Sequence, residues 1–136
     1  MVNIVKNKFS LHCLFFSLLS ASVVQANAEI NSCDSKKLED IPYSQCLDRI
    51  KNLVDRELQT WINNQTFLLE DIALTTGRGS ALKMFNRSQS NFITFRENNC
   101  RWQYLALSPS KKAGPAFKMC YILTTQARID ELERIQ

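Results

Sequence analysis

The sequence predicts an all-α fold, a small antiparallel three-helix bundle stapled by two disulfides. Three observations predict it. Apolar residues recur at three- and four-residue spacing in three separate stretches, the pattern of a helix with one buried face. Sustained alternation of apolar and polar residues, the mark of strands, is found nowhere. Four cysteines follow an apolar leader, at gaps of 13, 54 and 20 residues.

The leader sets the compartment. Lys6 and Lys8 form a positive start, Phe9 to Val24 is an apolar run, and Ala26-Asn27-Ala28 has the small-x-small form of a signal-peptidase site. Residues 1–28 are therefore expected to be a signal peptide and 29–136 the domain, exported to the periplasm or the cell exterior. The run is short for a membrane span, so no membrane association is expected after cleavage. Cys13 lacks the small residues that precede a lipidated cysteine.

Removing the leader narrows the chemistry. It holds Lys6 and Lys8 and no acid, so the +4 of the full chain falls to +2. That balance gives no argument for nucleic acid. The single histidine, His12, also leaves, and with it the commonest general base and metal ligand. No catalytic, cofactor-binding or metal-binding residue is placed by any motif, and the expectation is a protein that is not an enzyme.

Cys33, Cys46, Cys100 and Cys120 remain, an even number in a short exported chain. A four-thiolate zinc site would show close Cys-x-x-Cys pairs, which these are not. The favoured pairing is Cys33–Cys46, tying the lead-in to the first helix, with Cys100–Cys120 closing the loop before the third. Cys46–Cys100 with Cys33–Cys120 is open as well.

The first helix is expected from about Ile41 to about Ile72. Asp40 is a candidate cap, and Pro42 suits the first turn, where its missing N–H costs nothing. Leu47, Ile50, Val54, Leu58, Trp61 and Ile62 line one face. Such a length allows a bend near Asn63-Asn64. Thr75 to Ser80 holds two of the three glycines and reads as a linker, with Ser80 as the cap of the second helix. Its Gly-x-Gly is not a phosphate loop, because no lysine follows at the needed place and no strand precedes it.

The second helix is expected from Ala81 to about Cys100, with Leu82, Phe85, Phe92, Ile93 and Phe95 as its apolar face. Arg101 to Gly114 reads as the longest irregular segment. Pro115 is the expected start of the third helix, followed by Phe117, Cys120, Tyr121, Leu123, Thr124, Ala127, Leu132 and Ile135 at helical spacing. Trp61, Phe92, Phe95 and Tyr121 are expected in the core. Arg96, beside aromatics, is expected to pair with a carboxylate, Asp55 or Glu97, and Arg128 with an acid on the first helix. Gln89 is expected to make an interhelical hydrogen bond. Asp130, Glu131 and Glu133 read as a solvated face.

Ordered motifs carry a family resemblance. They are Cys33, Cys46 and Asp55-x-x-Leu58-Gln59, then Gln89-x-x-Phe92-x-x-Phe95-Arg96-Glu97-x-x-Cys100, then Cys120-x-x-Leu123-Thr124-x-x-x-Arg128-x-x-x-Leu132. In this order the chain resembles the LprI-type lysozyme inhibitors, exported four-cysteine helical proteins, over about Cys33 to Leu132. It departs from their pattern in Phe92 for tryptophan, Arg96-Glu97 for Arg-Asp, Leu58-Gln59 for Leu-Asn and Ile62 for tyrosine, changes that keep size or charge. The resemblance implies a helical protein-binding domain whose partner is lysozyme, inhibited by blocking a cleft that carries two carboxylates. Arg101–Gly114 and Thr75–Ser80 are the candidate blocking segments. The alternative is a structural or accessory envelope protein without inhibitory activity.

Overall fold

The computed structural model describes residues 30–33 and 37–135; the expected signal peptide lies outside the described residues. Three helices account for most of them: α1 (Asp40–Thr76), α2 (Ser80–Leu107) and α3 (Ala113–Arg134). No strand occurs among the described residues. The helices run up, down and up. α3 makes the larger interfaces, with α1 and with α2, which touch each other less.

The amphipathic pattern of α1 builds the main core. Leu47, Ile50, Val54 and Leu58 bury against Ile122, Ile129 and Leu132 of α3. Each such side chain stabilises by about 1.5–3 kcal/mol relative to exposure. Trp61, Ile62, Phe85, Phe92 and Met119 pack around this cluster half-buried. A second cluster joins Cys100 of α2 to Cys120, Tyr121 and Phe117 of α3.

Two bridges fasten the end of the bundle where α1 begins. Cys33 and Cys46 are joined with their Cα atoms 5.7 Å apart, and Cys100 and Cys120 at 5.5 Å. Ahead of the first bridge, the Cys33 N–H donates to the Ile30 carbonyl at 3.0 Å.

Several element boundaries differ from the sequence expectation. Glu39, not Asp40, is the residue before α1, and no side chain caps the helix. Asp40 instead lies inside the first turn, where a carboxylate suits the positive end of the helix dipole. α1 shows no break at Asn63-Asn64 and continues to Thr76. Gln59 spans that position by donating to the Asn63 side chain at 2.8 Å. The helix ends at Gly77, whose φ of 69° is left-handed and whose N–H donates to the Ala73 carbonyl. Glycine adopts that conformation without the side-chain clash other residues meet. Gly79, not Ser80, precedes α2.

The largest difference is at the end of α2. The helix does not stop at Cys100 but runs on to Leu107. Residues 101–107 contain neither glycine nor proline, so nothing in them ends a helix. Pro109 does, because a proline disfavours helical geometry in the residue before it. Ser108 is accordingly extended, at φ −70° and ψ 141°. The expected irregular segment Arg101–Gly114 shrinks to residues 108–112, and α3 starts at Ala113, two residues before Pro115. Pro115 thus sits in the first turn, where its ring is tolerated.

Candidate functional site

A buried polar network lies between the three helices. Arg96 of α2 is 6% exposed. Its Nη1 donates to Asp55 Oδ1 of α1 at 3.2 Å and to Thr125 Oγ1 of α3 at 2.9 Å. The guanidinium lies over the Tyr121 ring, 3.8 Å from its centroid. Asp55 also accepts from the Tyr121 hydroxyl at 3.0 Å and from Lys51 Nζ at 3.3 Å. Of the two carboxylates weighed for Arg96, the partner is Asp55 rather than Glu97.

The phenol of Tyr121 responds to this setting. Burial pushes its pKa up to about 12. Arg96 opposes the rise, while the hydrogen bond to Asp55 and the charges of Asp55 and Glu97 add to it. Tyr121 therefore keeps its proton and remains a neutral donor to Asp55. The cluster joins all three helices, with Arg96 of α2 and Tyr121 of α3 both donating to Asp55 of α1.

A second fastening joins α2 to α3. Gln89 is buried, and its Oε1 accepts from Arg128 Nε at 3.4 Å. Arg128 also donates to Ser88 Oγ at 3.1 Å and to Glu131 Oε2 at 2.6 Å. The expected acid on α1 is not its partner, because Arg128 projects from the side of α3 that faces α2. Phe92 lies between the two arginines, 5.5 Å from Arg96 and 5.8 Å from Arg128. Glu131 and Asp130 are engaged rather than merely solvated, since Gln126 donates to Asp130 at 3.0 Å.

Phe95 is not in the core; it is 58% exposed. The buried line of α2 runs Gln89, Phe92 (half-buried), Arg96 and Cys100 in steps of three and four. Phe95 is three residues past Phe92 and falls off that line, onto the face turned from the bundle. Ile93 is likewise half in solvent.

Sequence reasoning missed Lys118. Its Nζ donates to Asp48 Oδ2 at 2.6 Å, Ser44 Oγ at 2.7 Å and the Ser44 carbonyl at 3.2 Å, tying the start of α3 to α1. Asp48 and Ser44, four apart in the first turns of α1, were the available signal.

Beyond these fastenings the helices differ in length. α1 has 37 residues and α3 has 22, a difference of about 22 Å at 1.5 Å per residue. The last fully buried residue of α1 is Leu58, and the first of α2 is Gln89. Trp61, Ile62 and Phe85 still pack on the core and Ser88 still accepts from Arg128, so residues 63–84 form the two-helix arm that projects past the bundle. Its tip is the turn Gly77-Arg78-Gly79, in which the Arg78 N–H donates to Thr76 Oγ1 at 3.2 Å. Phe67, Leu74 and Met84 on the arm are 71%, 86% and 60% exposed.

Among the described residues, no group of three or more His, Cys, Asp or Glu is placed to hold a metal ion. No helix among them is long and apolar enough to cross a membrane.

Comparison with known proteins gives one match. Residues 24–132 fit the family model described as lysozyme inhibitor LprI. No curated protein and no solved structure matches the chain.

Proposed function

The chain belongs to the LprI lysozyme inhibitor family, and from that membership we propose that it is an exported protein that binds lysozyme and occludes its cleft with the tip of the α1–α2 arm. The observation that carries this reading is the arm itself, narrow, projecting and ending in an exposed arginine between two glycines. A cleft that hydrolyses glycosidic bonds carries two carboxylates. The Arg78 guanidinium offers five donors to such groups, and the flanking glycines add no side-chain bulk to the approach.

Charge steering contributes little. The exported chain has a small positive balance, so it is not drawn over distance to a cationic enzyme. Affinity is instead expected from the exposed Phe67, Leu74 and Met84, which an enclosing cleft would remove from water. The other candidate segment, Arg101–Gly114, is less suited. It is mostly helix, and Lys111 in its remaining loop leans back to Asp40 at 3.6 Å.

The test is lysis of cell-wall substrate by lysozyme with the oxidised exported chain added. Slowed lysis is expected, weakened about tenfold by Arg78→Glu with the helical content unchanged. Lysis at an undiminished rate under micromolar excess sinks the inhibitor reading and leaves the accessory envelope role.

A further inference from the structure

The outward face of α2 is unlike the arm. A shallow, open groove of about 510 Å³ runs along it, lined by Asn91, Thr94, Phe95, Asn98, Asn99 and Trp102. Phe95 and Trp102 are 58% and 59% exposed. They stand seven residues apart, two helical turns, so they share one face about 10.5 Å apart along the axis. Asn91 precedes Phe95 by four residues, and Asn98 falls between the two rings. The face therefore reads amide, ring, amide, ring. The indole N–H of Trp102 donates to Asn99 Oδ1 at 3.3 Å, which holds the ring in place. No lining residue carries a charge.

We propose that this face binds a neutral oligosaccharide of N-acetylhexosamine units. Pyranose rings have apolar C–H faces that lie against an aromatic ring, and hydroxyl and acetamide edges that need donors and acceptors together. An asparagine amide supplies both, and an exposed aromatic supplies the platform. The alternation along α2 places each kind of group where a short sugar chain laid along the helix presents its counterpart.

Other occupants fit worse. An apolar helix docked here would cover Asn91 and Asn98, at a cost of about 1–3 kcal/mol for each amide left unpaired. A nucleic acid would bring phosphates to a lining that has no cation to neutralise them. A sugar uses both the rings and the amides. The proposal does not rest on the lysozyme reading, because the groove lies on the bundle and the tip lies on the arm.

The chain has two tryptophans, Trp61 and Trp102, so Trp61→Phe makes Trp102 the sole fluorescent reporter. Titration of the oxidised exported chain with chitotetraose is expected to quench Trp102 saturably, with a dissociation constant of about 0.1–1 mM. Phe95→Ala, which keeps the reporter, is expected to weaken binding about tenfold. An unchanged spectrum at millimolar sugar overturns the proposal, as does equal binding by the Phe95→Ala variant. Should Trp61→Phe disturb the fold, amide NMR of the unsubstituted chain decides. Shifts centred on the side chains of Asn91, Asn98 and Trp102 support the site, and their absence overturns it. Lysis inhibition measured on Phe95→Ala reports on the arm separately.

Discussion

The Arg96 guanidinium of α2 and the Asp55 carboxylate of α1 meet at 3.2 Å across 41 residues of sequence. The two side chains are unequally buried, at 8% exposed for Arg96 and 34% for Asp55. The arginine is thus the member that cannot recover solvent when its partner is lost.

Asp55→Ala leaves Arg96 with Thr125 as its hydrogen-bonding partner. The expected loss is about 2–3 kcal/mol, less than for a fully buried pair because water already reaches Asp55. Adding Arg96→Met removes the stranded charge, so the double variant should lose less than the two single losses combined, by about 1 kcal/mol or more. Urea unfolding of the four proteins measures this coupling, and strictly additive losses would refute it.

Tyr121 gives a pH signature. Its pKa is raised from 10.0 to about 12 in the folded protein. Its contribution is fully present below pH 10, where folded and unfolded chains both hold the proton. Between pH 10 and 12 the unfolded chain releases the proton first, so stability falls through that window. The decline should total roughly 2–3 kcal/mol. Tyr121→Phe should be less stable at neutral pH yet flatter across this range, since ionisations common to both proteins cancel in the difference. Thermal melts at stepped pH check it; parallel curves would rule out this role.

The two glycines of the tip should behave differently. Gly77 has φ +69°, and a Cβ added there meets nothing within 4 Å. Gly77→Ala should therefore cost about 1–2 kcal/mol through backbone strain alone. Gly79, at φ −80°, has no such constraint, and Gly79→Ala should be neutral or stabilise by about 0.4–1 kcal/mol. Denaturant midpoints of the two variants should fall on opposite sides of, or unequally far from, the unsubstituted protein.

Replacing Cys100 and Cys120 together by serine opens a loop of 20 residues. The chain-entropy account gives a loss of about 3 kcal/mol. Differential scanning calorimetry in the absence of reductant should show the lowered Tm, with α-helical circular dichroism retained at low temperature.

Helix number and the inward face of α1 were legible because the apolar residues of α1 repeat at three and four. The inward face of α3 was read only in part: Leu123 and Ile135 are 50% and 59% exposed. Ile122 and Ile129 are buried in their place beside the polar Thr125 and Gln126, which break the apolar repeat. The arginine of α2 was legible as a fastening because aromatics surround it in sequence and an acid of α1 was available. Phe95 was not, because a spacing of three from Phe92 fits a buried face as well as the edge of one, and only the positions of Gln89, Arg96 and Cys100 in the bundle decide. The end of α2 was misplaced for a related reason. The closely spaced apolar residues Trp102, Tyr104, Leu105 and Leu107 fit an irregular segment as well as a helix, whereas they continue the helix and stand 41% to 61% exposed. The arm was hidden in the sequence because helix lengths become informative only when set side by side.

The shortness of α3 has an evolutionary side. The distance from the core to the tip is set by α1 and α2 alone. Adding or removing seven residues in each, in register, would move the tip by about 10.5 Å. Every residue of the core, those packed around it and both bridges would stay where they are, because all lie outside residues 63–84. Reach and thermodynamic robustness are therefore two separately adjustable properties of this molecule, and a lineage can lengthen one without trading away the other.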